Sequence, residues 1–136
     1  MPDCIFCKIV KGEIPSNKLY EDEQVLAFLD IGPLSEGHSL VIPKDHFERF
    51  DQCPPDTLAK VIAAANKLAK AVAAATECDG YNVLCNTGRA AGQAVDHVHF
   101  HIIPRNQGDG LFDGWPAGEY EPGKAEKVAD TIRKNL

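Results

Sequence analysis

Between residues 18 and 43 the chain places apolar positions in short runs punctuated by Gly32, Pro33 and Gly37, which predicts strands over 19–21, 25–29 and 38–42 joined as antiparallel hairpins. The period then changes. From 56 to 77, Leu58, Val61, Ile62, Ala65, Leu68, Ala69 and Val72 recur at helical spacing, with Asp56 or Thr57 to cap the start and Asp79-Gly80 to stop it. "YNVLCN" and "HVHFHII" return to alternation and predict strands over 81–86 and 97–103, separated by the small-residue loop "TGRAAG". Residues 124–136 predict a shorter closing helix, while Pro54-Pro55 and 108–123 read as loops. Strands outnumber helices and adjoin with only one helical crossover. The predicted architecture is therefore α+β, a mainly antiparallel sheet in a single domain spanning 1–136.

One alternating segment carries chemistry. In "GQAVDHVHFHIIP" a strand would send His97, His99 and His101 to one face and Val98, Phe100 and Ile102 to the other. On pattern alone four readings stand side by side: a solvated histidine face, a metal site of three imidazoles, a nucleophilic or acid–base cluster, and a division of labour between metal and reaction. Alternate strand residues sit about 6.5–7 Å apart, so a purely triple-histidine metal site needs a bend or a further ligand. Neutral imidazole near pH 7 is both a nucleophile and a proton carrier.

Composition narrows the partners. Twenty acidic against 14 basic residues give a net charge of −6, which argues against general nucleic-acid or anionic-membrane binding but not against a small anionic ligand. No apolar run approaches the roughly 20 residues of a membrane span, and no basic-then-apolar leader opens the sequence, so a cytoplasmic location is expected. Five cysteines do not make a disulfide framework; Cys4 and Cys7 form a C-x-x-C pair, and Cys53, Cys78 and Cys85 read as small buried or half-buried apolar residues.

The segment "AAGQAVDHVHFHIIPR", preceded by "LCNTG", by "DIGPLSEGHSLVIPKDH" and by "CIFCKIVKGEIPSNKLYEDE", resembles the histidine triad family of nucleotide hydrolases and transferases, over most of the chain up to Arg105. The resemblance implies a five-stranded antiparallel sheet with one long and one short helix, and a homodimer. It implies that His99 attacks the α-phosphorus of a purine nucleotide substrate and carries the nucleotidyl group. His101 and Gln93 would donate to the phosphate oxygens, Asn86 would lie beside the phosphate, and His97 would orient His99 through its backbone carbonyl. His38 matches a position near the catalytic imidazole, and Asp30 matches the carboxylate that accepts from the ribose hydroxyls. Ile5, Phe6, Ile9, Ile14, Phe28 and Ile31 match the apolar base pocket.

A structural zinc is expected on Cys4, Cys7, His46 and His97, by resemblance to family members and to the hexose-phosphate uridylyltransferases. Two thiolates with two imidazoles are a normal tetrahedral set for that ion. A redox role for the C-x-x-C pair is the weaker reading, since the pair opens the chain instead of following a strand. One departure stands out: many relatives carry Ser or Thr after the glutamine, and here the residue is Ala94. The function expected is hydrolysis of purine nucleoside 5′-phosphoramidates or related conjugates. Dinucleoside polyphosphate hydrolysis and nucleotide binding without turnover are the alternatives.

Overall fold

A computed structural model describes residues 3–112 and 114–136, so residue 113 of the predicted loop lies outside the described part. The strands are β1 (Lys18–Glu21), β2 (Val25–Leu29), β3 (Ser39–Pro43), β4 (Gly80–Leu84) and β5 (Phe100–Arg105). They form one sheet in the order β1-β2-β3-β5-β4, with every pairing antiparallel. The helices are α1 (Ile5–Val10), α2 (Pro55–Thr76) and α3 (Lys124–Lys134), and single 3-10 turns span Phe50–Gln52 and Arg89–Ala91. The α+β expectation, with its five-stranded antiparallel sheet, holds.

The central strands are apolar on both faces because both faces are covered. Val25, Ala27 and Val41 join Phe100 and Ile102 in a core under α2, which contributes Val61, Ala65, Leu68, Ala69 and Val72. Leu26, Phe28, Leu40 and Ile42 point the other way and pack with Phe6 and Ile9 of α1. Register ties the two sets together: Leu26 faces Ile42 and Phe28 faces Leu40 across the β2–β3 pair, while Ala27 faces Val41. Burial of Phe6 alone is worth about 2–3 kcal/mol of transfer free energy. That anchors a helix of only six residues, far too short to persist by itself.

Three local features differ from expectation. The long helix starts with Pro55 at its first position and Pro54 as its extended cap, with no side-chain cap bond, so neither Asp56 nor Thr57 does the capping. It ends one residue early at Glu77, which adopts a left-handed conformation (φ 53°) and returns its N–H to the Ala73 carbonyl. The strand predicted over 97–103 begins its ladder only at Phe100. His97 to His99 run ahead of it as irregular chain, tied by the Val98 N–H to the Phe47 carbonyl at 2.7 Å. The alternation survives this: Val98, Phe100 and Ile102 all lie in the α2-side core.

Candidate active site and metal centre

The face opposite α2 gathers all five histidines; backbone partners fix which ring nitrogen of His97, His99 and His38 carries the proton, and His38 in turn fixes His101. His99 Nδ1–H donates to the His97 carbonyl at 2.7 Å, which leaves Nε2 unprotonated in the neutral ring. A second chain of bonds starts from the Leu34 N–H, which donates to His38 Nδ1 at 3.0 Å. His38 must then be protonated on Nε2, which donates to His101 Nδ1 at 2.9 Å. His101 is left with its proton on Nε2, a buried donor with no partner among the described residues. His99 and His101 lie with ring centroids 4.9 Å apart. A nucleophilic nitrogen and an unpaired N–H donor thus share one small region.

Burial keeps these rings neutral. It pushes His99 below the ordinary imidazole value, against the opposing pull of the His97 carbonyl and Asp30. His101 is driven down to about 4, by burial first and then by the neighbouring His99 and His38. His38 is lowered by burial, with Asp30 working the other way. Neutral His99 is the reactive form of a nucleophile, and neutral His101 on this tautomer is a hydrogen-bond donor without a full charge.

A second constellation lies behind the first. Cys4 Sγ is 3.4 Å from His97 Nδ1, Cys7 Sγ is 3.4 Å from His46 Nδ1, and the two Nδ1 atoms are 3.2 Å apart. All four ligand atoms lie within 4.8 Å of one another. His97 Nε2–H donates to the Pro43 carbonyl at 2.8 Å, so the Nδ1 lone pair faces inward to the sulfurs. An outer carbonyl that fixes an inner lone pair is the usual support of a metal-bound histidine. The cluster could hold a metal ion, and its two soft sulfurs and two imidazoles suit zinc. Cys4 also caps α1, accepting the Cys7 N–H on sulfur at 3.3 Å.

Phe6, between the two cysteines, stands edge-on to His99 at 5.0 Å and to His97 at 5.9 Å between centroids. Phe6, Ile9 and Phe28, expected in a base pocket, are buried together where α1 packs on the sheet, with Ile14 half-buried beside them. Ile31 is fully exposed and Ile5 half-exposed, so they are the surface part of that set. Asp30 spends one oxygen on the Gly32 N–H at 2.8 Å, as a turn-initiating Asp does, and turns the other toward His38 Nε2 at 3.5 Å. Asn86 reaches the Gly92 carbonyl at 3.4 Å. Gln93, expected as a phosphate donor, has its amide committed to the backbone on three sides. Helix α1 itself was not foreseen. Its signal was the Cys4 cap and the apolar triplet Phe6, Cys7 and Ile9, too short a stretch for periodicity to separate from a strand.

Comparison with known proteins bears on both constellations. The HIT domain model matches residues 11–108. The chain is 50% identical over 134 residues to adenosine 5′-monophosphoramidase HNT1 of Saccharomyces cerevisiae, covering 98% of this chain and 82% of that protein. It is 47% identical over 110 residues to adenylylsulfatase HINT3 of Arabidopsis thaliana, covering 81% of this chain and 56% of that one. The crystal structure of a HIT family member from Bacillus subtilis superposes with a TM-score of 0.91 at 42% identity, over 98% of this chain and 97% of that chain. A zinc-bound histidine triad family protein from Mycobacterium smegmatis superposes with a TM-score of 0.76 at 35% identity, over 99% of both chains.

Proposed function

The chain belongs to the HIT family, and from that premise we propose that it hydrolyses purine nucleoside 5′-phosphoramidates at the α-phosphorus through a nucleotidyl group carried on His99. The observation that carries this reading is the pairing of an unprotonated His99 Nε2 with the unpartnered His101 Nε2–H. His99 Nε2 forms a bond to phosphorus as the bond to the leaving nitrogen breaks, and His101 donates to a phosphate oxygen whose charge grows in that step. The His97 carbonyl holds the imidazolium that results. A water then displaces His99. Over the cycle one water delivers its hydroxyl to phosphorus and its hydrogen to the amine.

Asp30 would accept from the ribose hydroxyls, and Phe6, Ile9, Phe28 and Ile31 would form the base pocket, which reads a purine by shape and apolar contact. Cys4, Cys7, His46 and His97 would hold a structural zinc, with the zinc-bound relative in support. Its chemistry there is to crosslink the α1 segment to the catalytic strand, and no step of the reaction passes through it. A homodimer is proposed from the open outer edge of β4, where Tyr81 and Val83 are exposed.

A second reading rests on Ala94. With no hydroxyl there to pass a proton, leaving groups that depart as stable anions, sulfate or a polyphosphate, need less help than amines, and the adenylylsulfatase relative supports that class. The test is rapid quench with substrates labelled on the α-phosphate. Alkali-stable, acid-labile label on the protein, absent from His99→Ala, supports the covalent route, and label that persists in His99→Ala refutes it. A panel of phosphoramidate, adenylyl sulfate and dinucleoside polyphosphate then ranks the leaving groups.

A further inference from the structure

Gln93 is 3% exposed, and both donor hydrogens and one acceptor position of its amide are used on main chain. Its Oε1 accepts the Gly88 N–H at 2.8 Å, and its Nε2 donates to the Glu48 carbonyl at 2.6 Å and the Val95 carbonyl at 3.1 Å. The first bond closes the 88–93 loop, the third holds the chain just beyond it, and the second crosses to the segment that carries His46. That segment meets the chain leading into β5 again one residue earlier, where the Phe47 carbonyl accepts the Val98 N–H. Arg89 reinforces the same loop by donating to the Gln93 carbonyl and, at 3.2 Å, to Asp96. An amide whose two N–H donors are both in use has no donor left to offer a phosphate oxygen without giving one up.

We infer that Gln93 is a positioning residue, a three-way clamp that presets the 88–95 loop just ahead of the triad segment and locks it to the His46 segment, and is not itself a phosphate ligand. The inference rests on the reading of this region as a phosphate site, because it says what the clamp is for. A loop held in this way can present its backbone N–H groups to a phosphate without paying for order at the moment of binding. It also makes a second prediction that a direct contact does not: the loop is ordered by Gln93 in the protein with nothing bound.

The experiment compares the wild type with Gln93→Met, which keeps the length and removes all three bonds, and with Gln93→Glu, which keeps the acceptor for Gly88 and loses both donors. Amide hydrogen exchange is read on the metal-loaded, nucleotide-free proteins, followed by AMP affinity and the separate kcat and KM for a phosphoramidate. The Gly88 N–H should exchange about 10- to 100-fold faster in Gln93→Met and stay protected in Gln93→Glu. Residues 46–48 should loosen in both variants. AMP affinity should fall about tenfold in both, with KM rising more than kcat falls. Unchanged exchange together with lost affinity would make Gln93 a direct ligand and overturn the inference. Faster exchange with unchanged AMP affinity, KM and kcat would reduce it to a bystander and overturn it equally. If Gln93→Met does not fold, Gln93→Glu still decides through residues 46–48 and the Kd for AMP. Failure of the wild type to bind AMP would sink the phosphate-site reading itself, a result distinct from any shown by the variants.

Discussion

Replacing His38 by phenylalanine tests the chain of tautomers that leaves His101 as a donor. Ring volume is roughly kept while two bonds vanish: acceptance of the Leu34 N–H at 3.0 Å and donation to His101 Nδ1 at 2.9 Å. A neutral hydrogen bond contributes about 1 kcal/mol net, so its loss shifts the His101 tautomer balance by about fivefold. The donor form is then no longer enforced, and kcat/KM should drop about 5- to 10-fold. Removing the donor itself with His101→Phe deletes a hydrogen bond to developing phosphate charge, which is worth about 10²- to 10³-fold. The gap between the two variants is the signature of an indirect role. Because His38 is only 3% exposed, its loss also strands the Leu34 N–H, at a cost of about 1–3 kcal/mol in stability. Single-turnover kinetics with adenosine 5′-phosphoramidate give the rates, and nitrogen-15 spectra of the imidazoles give the tautomers. Equal losses in both variants would mean that His38 touches the substrate. A wild-type spectrum with His101 protonated on Nδ1 would break the chain at its middle link.

Acid should unfold the protein partly through His101: its folded pKa of about 4 lies below the unfolded value near 6.5, so the stability is complete above pH 6.5 and drains as pH falls toward 4. At about 1.4 kcal/mol per pH unit the ceiling is about 3.5 kcal/mol, and urea titrations should show a smaller loss across that window in His101→Gln; an identical loss would acquit His101. Cys4→Ser separates the two jobs of that residue, since serine also caps helices but is a poor zinc ligand. Metal analysis should find about one zinc per wild-type chain and little in the variant. Gly37→Ala should cost about 2–4 kcal/mol, because φ is +92° and the new Cβ would lie 2.6 Å from Thr76 Cγ2; thermal denaturation within a degree of wild type would contradict it. Light scattering should find a dimer, and a fully active monomer at assay concentration would refute an obligatory dimer.

Where a physical period was long enough, the sequence was legible. Val61, Ala65, Leu68, Ala69 and Val72 share one helix face over about three turns, and the structure buries all five. The alternation of Val98, Phe100 and Ile102 against the three histidines held even where no ladder forms, because facing follows from extended chain and does not need a partner strand. Caps were less legible. Pro54-Pro55 starts α2 by backbone restriction alone, and Glu77 ends it in a left-handed conformation that composition does not flag. Tautomers and clamps were invisible, since they depend on which main-chain group lies across the fold: Pro43 is 54 residues from His97, and Glu48 is 45 from Gln93.

The same logic explains why one histidine cluster suits a metal and the other does not. Asp30, His38 and His101 also bring potential ligand atoms within 4.8 Å, and by count alone they are a candidate site. What differs is the group behind each ring. Behind His97 is a carbonyl, which takes the outer proton and turns a lone pair inward to the sulfurs. Behind His38 is the Leu34 N–H, which takes the outer lone pair and turns a proton inward to His101. A cation at the second cluster would have to displace that proton and spoil a buried backbone bond, a cost the first cluster does not bear. Two backbone atoms of opposite polarity therefore turn a lone pair inward at His97 and a proton inward at His38. His99, with a carbonyl behind its Nδ1 and its Nε2 left unprotonated, is the nucleophile we propose.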